Sequence, residues 1–176
     1  MRSKTIHRAG KQERVFAVVL DEDEDPVRLL VSFAERHELR GSSITAVGGL
    51  SSAALGFVDR SRGLHKRIVI AEQAEVLSLV GDIAHHDGRP MLHAVAVLGL
   101  PDGTTRGGRL LEGCVSPTLE IIVTELPEHL WKTFDPKIEL PVLMAPAQAE
   151  DEARVLPSPL DEPPTWLHDL HPARRE

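Results

Sequence analysis

The chain is poor in cysteine and in aromatic residues. It has one cysteine, no tyrosine, four phenylalanines and two tryptophans among 176 residues. The single Cys114 excludes a disulfide within the chain. Because aromatic rings are so few, a buried core has to be built mainly from Val, Leu, Ile and Ala. The hydrophobic fraction of 41% is enough for one domain of ordinary size with such a core.

Long apolar segments are also lacking. No run of apolar residues approaches the roughly 18 that are needed to cross a membrane. The first residues, MRSKTIHRAGKQER, are polar and basic and contain no hydrophobic stretch of the kind found in signal peptides. We therefore expect a cytoplasmic protein with no membrane partner.

The chain also has fewer basic than acidic residues. Twenty Lys and Arg residues stand against 27 Asp and Glu, which gives a net charge of −7. Sequence-independent binding to duplex DNA needs a large positive field, because neutralised phosphates supply most of the affinity. The charge therefore predicts that any contact with DNA is weak or indirect.

The residues from Pro146 onward differ in composition from the rest. They carry three basic and seven acidic side chains (−4), which leaves −3 for residues 1–145. Seven of the thirteen prolines lie between Pro141 and Pro172. We predict one domain over 1–145 and an acidic, Pro-rich tail over 146–176 that is extended or disordered. The alternative is a short helical turn that docks on a neighbouring subunit through Trp166, Leu167 and Leu170.

One segment has the period of a helix. Asp25 followed by Pro26 is typical of a helix start, with a side-chain acceptor at the N-cap and a preset φ at the first helical position. Apolar residues follow at helical spacing: Leu30, Phe33, Ala34 and His37. Gly41 is placed to end the helix. The pattern predicts an amphipathic helix of about three to four turns.

Short strand-like runs follow the helix, separated mostly by Gly, Pro, Asp or Ser. With Val15–Leu20 before the helix, they are Ser43–Val47, Ala54–Asp59, His65–Ile70, Glu75–Asp82, Leu92–Gly99, Leu110–Val115 and Leu119–Glu125. The order predicts an α+β fold in which one helix packs on a largely antiparallel or mixed sheet. Two turns are specific: Asp87-Gly88 as a two-residue hairpin and Pro101-Asp102-Gly103 as a type I turn.

Six motifs occur in one order along most of the chain. They are Ala46-Val47-Gly48-Gly49-Leu50, Ala54–Asp59, Glu75-Val76-Leu77-Ser78-Leu79-Val80-Gly81-Asp82-Ile83, Leu92–Gly99, Gly107–Leu110 and Thr118–Ile122. Together they resemble the plant-and-prokaryote-conserved (PPC) domain, in its free-standing prokaryotic form, over roughly Val15 to Leu143. In that family the first motif is a glycine turn. The resemblance implies a compact α+β domain that assembles as a ring-like homotrimer, and it implies little about biochemistry.

The chain departs from the family where a metal site is expected. Free-standing members typically have His-x-His in one strand and Gly-Gly-His after the next turn, and the matching positions here are His93, Val95 and Arg109. A Zn²⁺ site needs about three or four protein ligands, so zinc at His93 is disfavoured. If Asp87-Gly88 is the hairpin turn, Asp82 lies opposite His93. The simpler reading is that His93 pairs with Asp82 for structural reasons.

Arg109 indicates a different ligand. A guanidinium is a permanent cation with a bidentate fork, and Gly107-Gly108 lets a ligand approach the backbone closely. With Arg106 nearby, these residues fit a carboxylate or phosphate, that is, a small anionic ligand. The alternative is that Gly107-Gly108 forms a bulge and that Arg109 pairs with Glu112 or Glu120 of the same or a neighbouring chain.

A basic turn is the best place for any nucleic-acid contact. It carries Arg60, Arg62, His65, Lys66 and Arg67, to which Arg8, Lys11 and Arg14 add charge. Binding of single-stranded nucleic acid is disfavoured, because the chain has few aromatic rings on which bases could stack. The sequence Asp87-Gly88-Arg89-Pro90 contains only part of the Arg-Gly-Arg-Pro centre of an AT-hook, and it falls in a predicted hairpin. The plant family's means of binding DNA is absent.

Enzyme chemistry has little support in the sequence. The chain lacks a serine elbow, a phosphate loop and a Cys–His nucleophile pattern. Glu75 and Glu120 interrupt apolar strands, and a glutamate that faces inward needs a partner or a shifted pKa. We interpret the protein as a homotrimeric binding or regulatory module whose site includes His93 and Gly107-Gly108-Arg109. The alternative is a metal- or carboxylate-assisted enzyme that acts on a small anionic substrate through Glu75, His93 and Arg109.

Overall fold

The computed structural model describes residues 1–9, 13–59, 64–136 and 140–144. The predicted tail over 146–176, with its proposed docking residues, lies outside the described residues. Within the described part, no helix is long and apolar enough to span a membrane.

The fold is α+β with an antiparallel sheet, as the order of patterns predicts. The elements are β1 (Arg2–Ala9), β2 (Glu13–Leu20), α1 (Pro26–Arg36), β3 (Ser42–Asp59), β4 (Leu64–Ile70), β5 (Ala74–His86), β6 (Arg89–Gly99), β7 (Thr105–Glu125), β8 (Lys132–Asp135) and β9 (Leu140–Leu143). Seven strands form one sheet in the order β1-β2-β7-β6-β5-β3-β4, and β7 also pairs with β3. That extra pairing closes β3, β5, β6 and β7 into a ring.

Two long strands replace four predicted short ones. Strand β3 joins the predicted Ser43–Val47 and Ala54–Asp59, and β7 joins Leu110–Val115 and Leu119–Glu125. The prediction of a glycine turn at Gly48-Gly49 was therefore wrong, because the chain continues as a strand there. Gly48 has a φ of +145°, and a Cβ at either glycine would overlap a carbonyl oxygen of β7. These glycines allow two strands to cross closely.

The helix begins where the sequence predicts and ends earlier. The Asp25 carboxylate accepts hydrogen bonds from the backbone N–H groups of Val27 (2.9 Å) and Arg28 (3.3 Å). The helix ends at Arg36 and not near Gly41, because Glu38 adopts a φ of +52° and Leu39 turns back to bond Ala34. Leu39 is thereby buried. Burial of this leucine, which local sequence does not encode, sets the helix end.

The helix packs its apolar face mainly against β7 and β6, and its contact with β2 lies beside a charged pair. The rings of Phe33 and Phe16 meet edge to face, with centroids 5.2 Å apart. At the rim of this contact the Arg14 guanidinium donates to both carboxylate oxygens of Glu125 (2.6 and 2.8 Å) and to the carbonyl oxygen of His37 (2.9 Å). Arg14 is thus part of the fold and does not extend the basic turn.

The β5–β6 hairpin confirms the predicted register. Asp87 and Gly88 both have positive φ (49° and 77°), as a two-residue hairpin turn requires. Asp82 faces His93, and Val80 faces Val95. Along β6 the side chains alternate, so that His93, Val95 and Val97 are exposed while Ala94, Ala96 and Leu98 are buried.

Three strands were not predicted from the sequence. Strand β1 is an exposed edge strand without alternating apolar residues, paired to β2. Strands β8 and β9 are four residues each and form a separate two-stranded sheet. Trp131, the residue just before β8, forms an isolated bridge with His85 of β5.

Candidate functional site

The candidate site begins with a carboxylate and an imidazole on facing strands. Asp82 of β5 and His93 of β6 are register partners, and the Asp82 Oδ2 atom lies 3.7 Å from His93 Nδ1. The predicted pairing of these two side chains is confirmed. The His93 side chain remains 47% exposed, so one side of the ring is open.

A lysine that sequence reasoning missed completes this group. The Lys132 Nζ atom lies 2.5 Å from Asp82 Oδ1, and its side chain is only 2% exposed. Lysine is rarely buried unless it is paired. It comes from β8, a strand of four residues whose pattern is too short to identify. No sequence signal connects Lys132 with a residue fifty positions earlier.

Arg109 lies next to this group on β7. It faces Val95 on one side and Gly56 on the other, and it is partly buried. Its guanidinium forms no ion pair with any carboxylate of the described residues. Glu112 is paired with Arg67 instead. Among the residues that the structure describes, Arg109 is therefore a partly desolvated cation without a counter-charge.

Two adjoining clefts meet at Arg109. The smaller, here called the Arg109 cleft, has a volume of about 40 Å³ and is lined by Met91, His93, Arg109, Lys132, Leu140 and Pro141. The larger, here called the apolar cleft, has about 170 Å³ and includes Phe57, Lys66, Arg67, Arg109, Leu111 and Leu140. Arg109 and Leu140 are shared. Both clefts combine cationic and apolar side chains.

The charges around His93 favour its neutral form. Burial lowers the pKa of His93, and the cations Lys132 and Arg109 lower it further, against the opposing effect of Asp82. At neutral pH the imidazole is therefore uncharged and offers one donor and one acceptor. The fixed positive charge of the cleft comes from Arg109 and Lys132.

The residues present do not fit a divalent metal ion. His93 and Asp82 supply two ligands, and the Lys132 ammonium already contacts the carboxylate. Among the described residues no group of three His, Cys, Asp or Glu side chains is arranged to hold a metal ion. A zinc ion here would meet too few ligands and two nearby cations.

Only one of the two glycines before Arg109 is required by packing. Gly107 and Gly108 pair regularly with β6, and the nearest irregularity of β7 lies at Leu111, which the register with β3 skips. A Cβ at Gly108 would come within 2.7 Å of the Gly56 carbonyl oxygen, whereas one at Gly107 would have ordinary contacts. Gly108 is thus required by packing against β3.

The remaining predicted site residues lie elsewhere. Arg106 faces Leu98 across the ladder, on the opposite side of β7 from Arg109, and donates to Thr104 and to the backbone of Thr105. Glu120 is exposed between Val19 and Val47.

Glu75 is separated from His93. It pairs with Gly99, six residues from His93 along β6, which places the two about 20 Å apart. Glu75 is exposed and lines an open pocket of about 400 Å³ with Leu77, Leu100, Pro101 and Thr105. In one chain, Glu75 and His93 do not share a site.

The basic turn is described only in part. Arg60, Arg62 and Lys11 lie outside the described residues, as does the side chain of His65. Lys66 and Arg67 line the apolar cleft, and Arg67 forms an exposed pair with Glu112.

An apolar surface covers the outer side of the ring of strands. The outer apolar face comprises Val47, Val80, Val95, Val97 and Ile122, all at least 41% exposed. The register makes it continuous: Val80 faces Val95, and Thr45 lies between Ile122 and Val80. A contiguous patch of this kind is typical of a protein interface.

A family model and several solved structures match the chain. Residues 7–127 match the model described as the Plants and Prokaryotes Conserved (PCC) domain. Lys132 and strands β8 and β9 lie beyond the matched range. No curated protein matches the chain.

Three solved structures have similar folds. A protein from Ralstonia eutropha JMP134, named provisionally as DNA-binding, is 28% identical (TM-score 0.69; 74% of this chain and 91% of that one covered). A metal-containing protein from Archaeoglobus fulgidus is 29% identical (0.70; 82% and 100%). A plant- and prokaryote-conserved protein from Pyrococcus horikoshii is 25% identical (0.71; 78% and 95%).

Proposed function

Because the chain belongs to the Plants and Prokaryotes Conserved domain family, we propose that it is a homotrimeric binding or regulatory module. Its ligand is a small anion held by Arg109 beside His93. The observation that carries this proposal is the partly buried guanidinium of Arg109, which no carboxylate of the described residues neutralises.

The chemistry of the Arg109 cleft supports a carboxylate or phosphate. A guanidinium binds either group with two parallel hydrogen bonds. The neutral His93 ring adds a donor, and Met91, Leu140 and Pro141 exclude part of the water. Partial desolvation strengthens the attraction between the cation and the anion.

The dimensions of the clefts limit the ligand. The Arg109 cleft, with about 40 Å³, is much smaller than the apolar cleft beside it. Only the charged head of a ligand fits there. The apolar cleft next to it, with about 170 Å³, accepts the rest of a small molecule. The proposed ligand is therefore an organic anion with a compact body.

The outer apolar face supports self-association. A monomer would leave its five aliphatic side chains in water, and burial against identical subunits would remove them. Val95 belongs to this face and is the direct register partner of Arg109. The anion site consequently adjoins the proposed subunit boundary.

Contact with DNA is proposed to be weak or indirect in this protein. A relative from Ralstonia eutropha is provisionally named as DNA-binding, but the net charge here is −7. Of the basic turn, Lys66 and Arg67 are described, and Arg67 is already paired with Glu112. A net charge of −7 supplies too little positive field for strong duplex binding.

Calorimetric titration with sulfate and succinate tests the anion site. The unchanged protein is expected to bind at least one of them, and Arg109→Ala to weaken that binding at least tenfold. Arg106→Ala is the matched control, because it removes the same charge from the opposite side of β7. Equal affinity in the unchanged protein and Arg109→Ala, or equal losses in both variants, would refute the proposal.

A further inference from the structure

We propose that the Lys132 ammonium takes the place of a divalent metal ion, so that the cation at this site is a side chain of the protein itself. The inference concerns what the site excludes, and it does not depend on the identity of the anion that Arg109 binds. It explains why a chain of this fold keeps Asp82 and His93 together without a third metal ligand.

One oxygen of the Asp82 carboxylate is buried against a single cation. Its Oδ1 atom and the Lys132 Nζ atom are both inaccessible to solvent, and neither has a hydrogen-bond partner among the described residues. Their 2.5 Å ion pair is the contact that compensates each charge. A buried carboxylate oxygen that faces a single cation has the surroundings of a metal ligand, with an ammonium in the position of the metal.

Contacts from β5 to the backbone of Leu130 and Lys132 fix the lysine in place. The backbone N–H of His85 donates to the Leu130 carbonyl oxygen (2.8 Å), and the Nδ1 atom of His86 lies 3.2 Å from the carbonyl oxygen of Lys132. These contacts hold the start of β8 against β5. The lysine is therefore anchored on both sides and does not depend on a flexible loop.

The site already carries an excess of positive charge. Around the neutral imidazole of His93, the cations Lys132 and Arg109 stand against the one carboxylate of Asp82. A divalent ion would add two positive charges to a site that already has an excess of one. It would also have to displace the ammonium from its buried partner, which would leave the ammonium without compensation.

The lysine and its partners come from different parts of the chain. Lys132 lies beyond residues 7–127, the part that matches the family model, whereas Asp82 and His93 lie inside it. A relative from Archaeoglobus fulgidus that is 29% identical is a metal-containing protein, and its alignment covers 82% of this chain. The proposed cation is thus supplied by a segment beyond the family-model match to residues inside it.

Zinc titration of designed variants tests this replacement. The register places Val95 directly opposite Arg109 and on the same face as His93. The variant Val95→His/Arg109→His therefore supplies three imidazoles at neighbouring positions. With Lys132 intact, we expect it to bind zinc at least tenfold more weakly than the same variant carrying Lys132→Ala. Arg106→Ala in place of Lys132→Ala is the control for the loss of one positive charge, and it should leave zinc affinity at the weak level.

Three results would overturn the inference. They are equal zinc affinity with and without Lys132, absence of zinc binding in the variant that lacks Lys132, and stoichiometric zinc in the unchanged protein. A measurement on the unchanged chain covers the case in which the variants fold poorly: EDTA should leave its melting temperature unchanged, and a decrease would refute the replacement. Sulfate binding reports separately on the anion proposal, so the two can fail independently.

Discussion

Lys132 Nζ lies 2.5 Å from Asp82 Oδ1 and joins the short strand β8 to the central hairpin. The two residues are fifty positions apart, and the lysine side chain is almost fully buried. Replacing either residue alone should therefore destabilise the fold, whether or not a ligand is bound.

Removal of the ammonium alone should destabilise the protein. Lys132→Met leaves the Asp82 carboxylate partly buried without a cation, and we expect a loss of about 2–4 kcal/mol in the free energy of unfolding. Urea denaturation measures it. Lys132→Met/Asp82→Asn should lose less than the sum of the two single variants, because the uncompensated charge is gone. Additive losses would show that the pair is not coupled.

The Arg14–Glu125 pair should matter far more than the pair at the surface. Glu125 is 5% exposed and receives two hydrogen bonds from Arg14. Arg14→Met is expected to cost about 3 kcal/mol in urea denaturation. Arg67→Met breaks the half-exposed pair with Glu112 and should cost less than about 1 kcal/mol. Similar losses in both variants would contradict the assigned difference in burial.

Gly108 should be far more sensitive than Gly107 to the same substitution. A Cβ at Gly108 would crowd the Gly56 backbone, so Gly108→Ala should lose about 1–3 kcal/mol of stability. Gly107→Ala should change stability by no more than about 0.5 kcal/mol. Thermal unfolding of both variants compares them. Weaker sulfate binding in Gly107→Ala would instead indicate that a ligand approaches the backbone there.

A charge on the outer apolar face should prevent trimer formation. Val95→Asp or Val97→Asp places a carboxylate among aliphatic side chains that are proposed to be buried between subunits. Sedimentation velocity should show a trimer for the unchanged protein and monomers for these variants at micromolar concentration. Val69→Asp on β4 is the control and should stay trimeric. Monomers of the unchanged protein would contradict the proposed assembly.

Mild acid should lower stability. Burial is the main cause that lowers the pKa of His37, of His93 and of His129 in the folded protein. Because the unfolded chain then binds more protons, the contribution of these histidines is complete above their ordinary pKa of about 6.5 and is lost as the pH falls through the folded values. The melting temperature should fall between pH 6.5 and 5.5, and less steeply in His93→Gln. A constant or rising melting temperature would contradict the assigned direction.

The features that the sequence predicted depend on local chemistry. Asp87-Gly88 determines the hairpin turn, and the turn determines the register that brings Asp82 opposite His93. The start of the helix at Asp25 is equally local. The resemblance to the family covers the ring of strands, which the family match at residues 7–127 confirms.

The features that were missed depend on contacts distant in sequence. The helix ends before Gly41 because Leu39 is buried, and Gly41 itself lies against Leu130. The continuity of β3 through Gly48-Gly49 depends on the crossing of β7. Lys132 could not be placed, because its partner is known only once β8 is seen to pack on β5.

Native mass spectrometry of protein purified without chelator tests the central claim most directly, because it reports subunit number, metal and retained ligand together. We predict a trimer without a divalent metal that carries a small anion, and Arg109→Ala should lose this anion. A trimer with one zinc ion per chain, or an anion that Arg109→Ala retains, would contradict the account of this site.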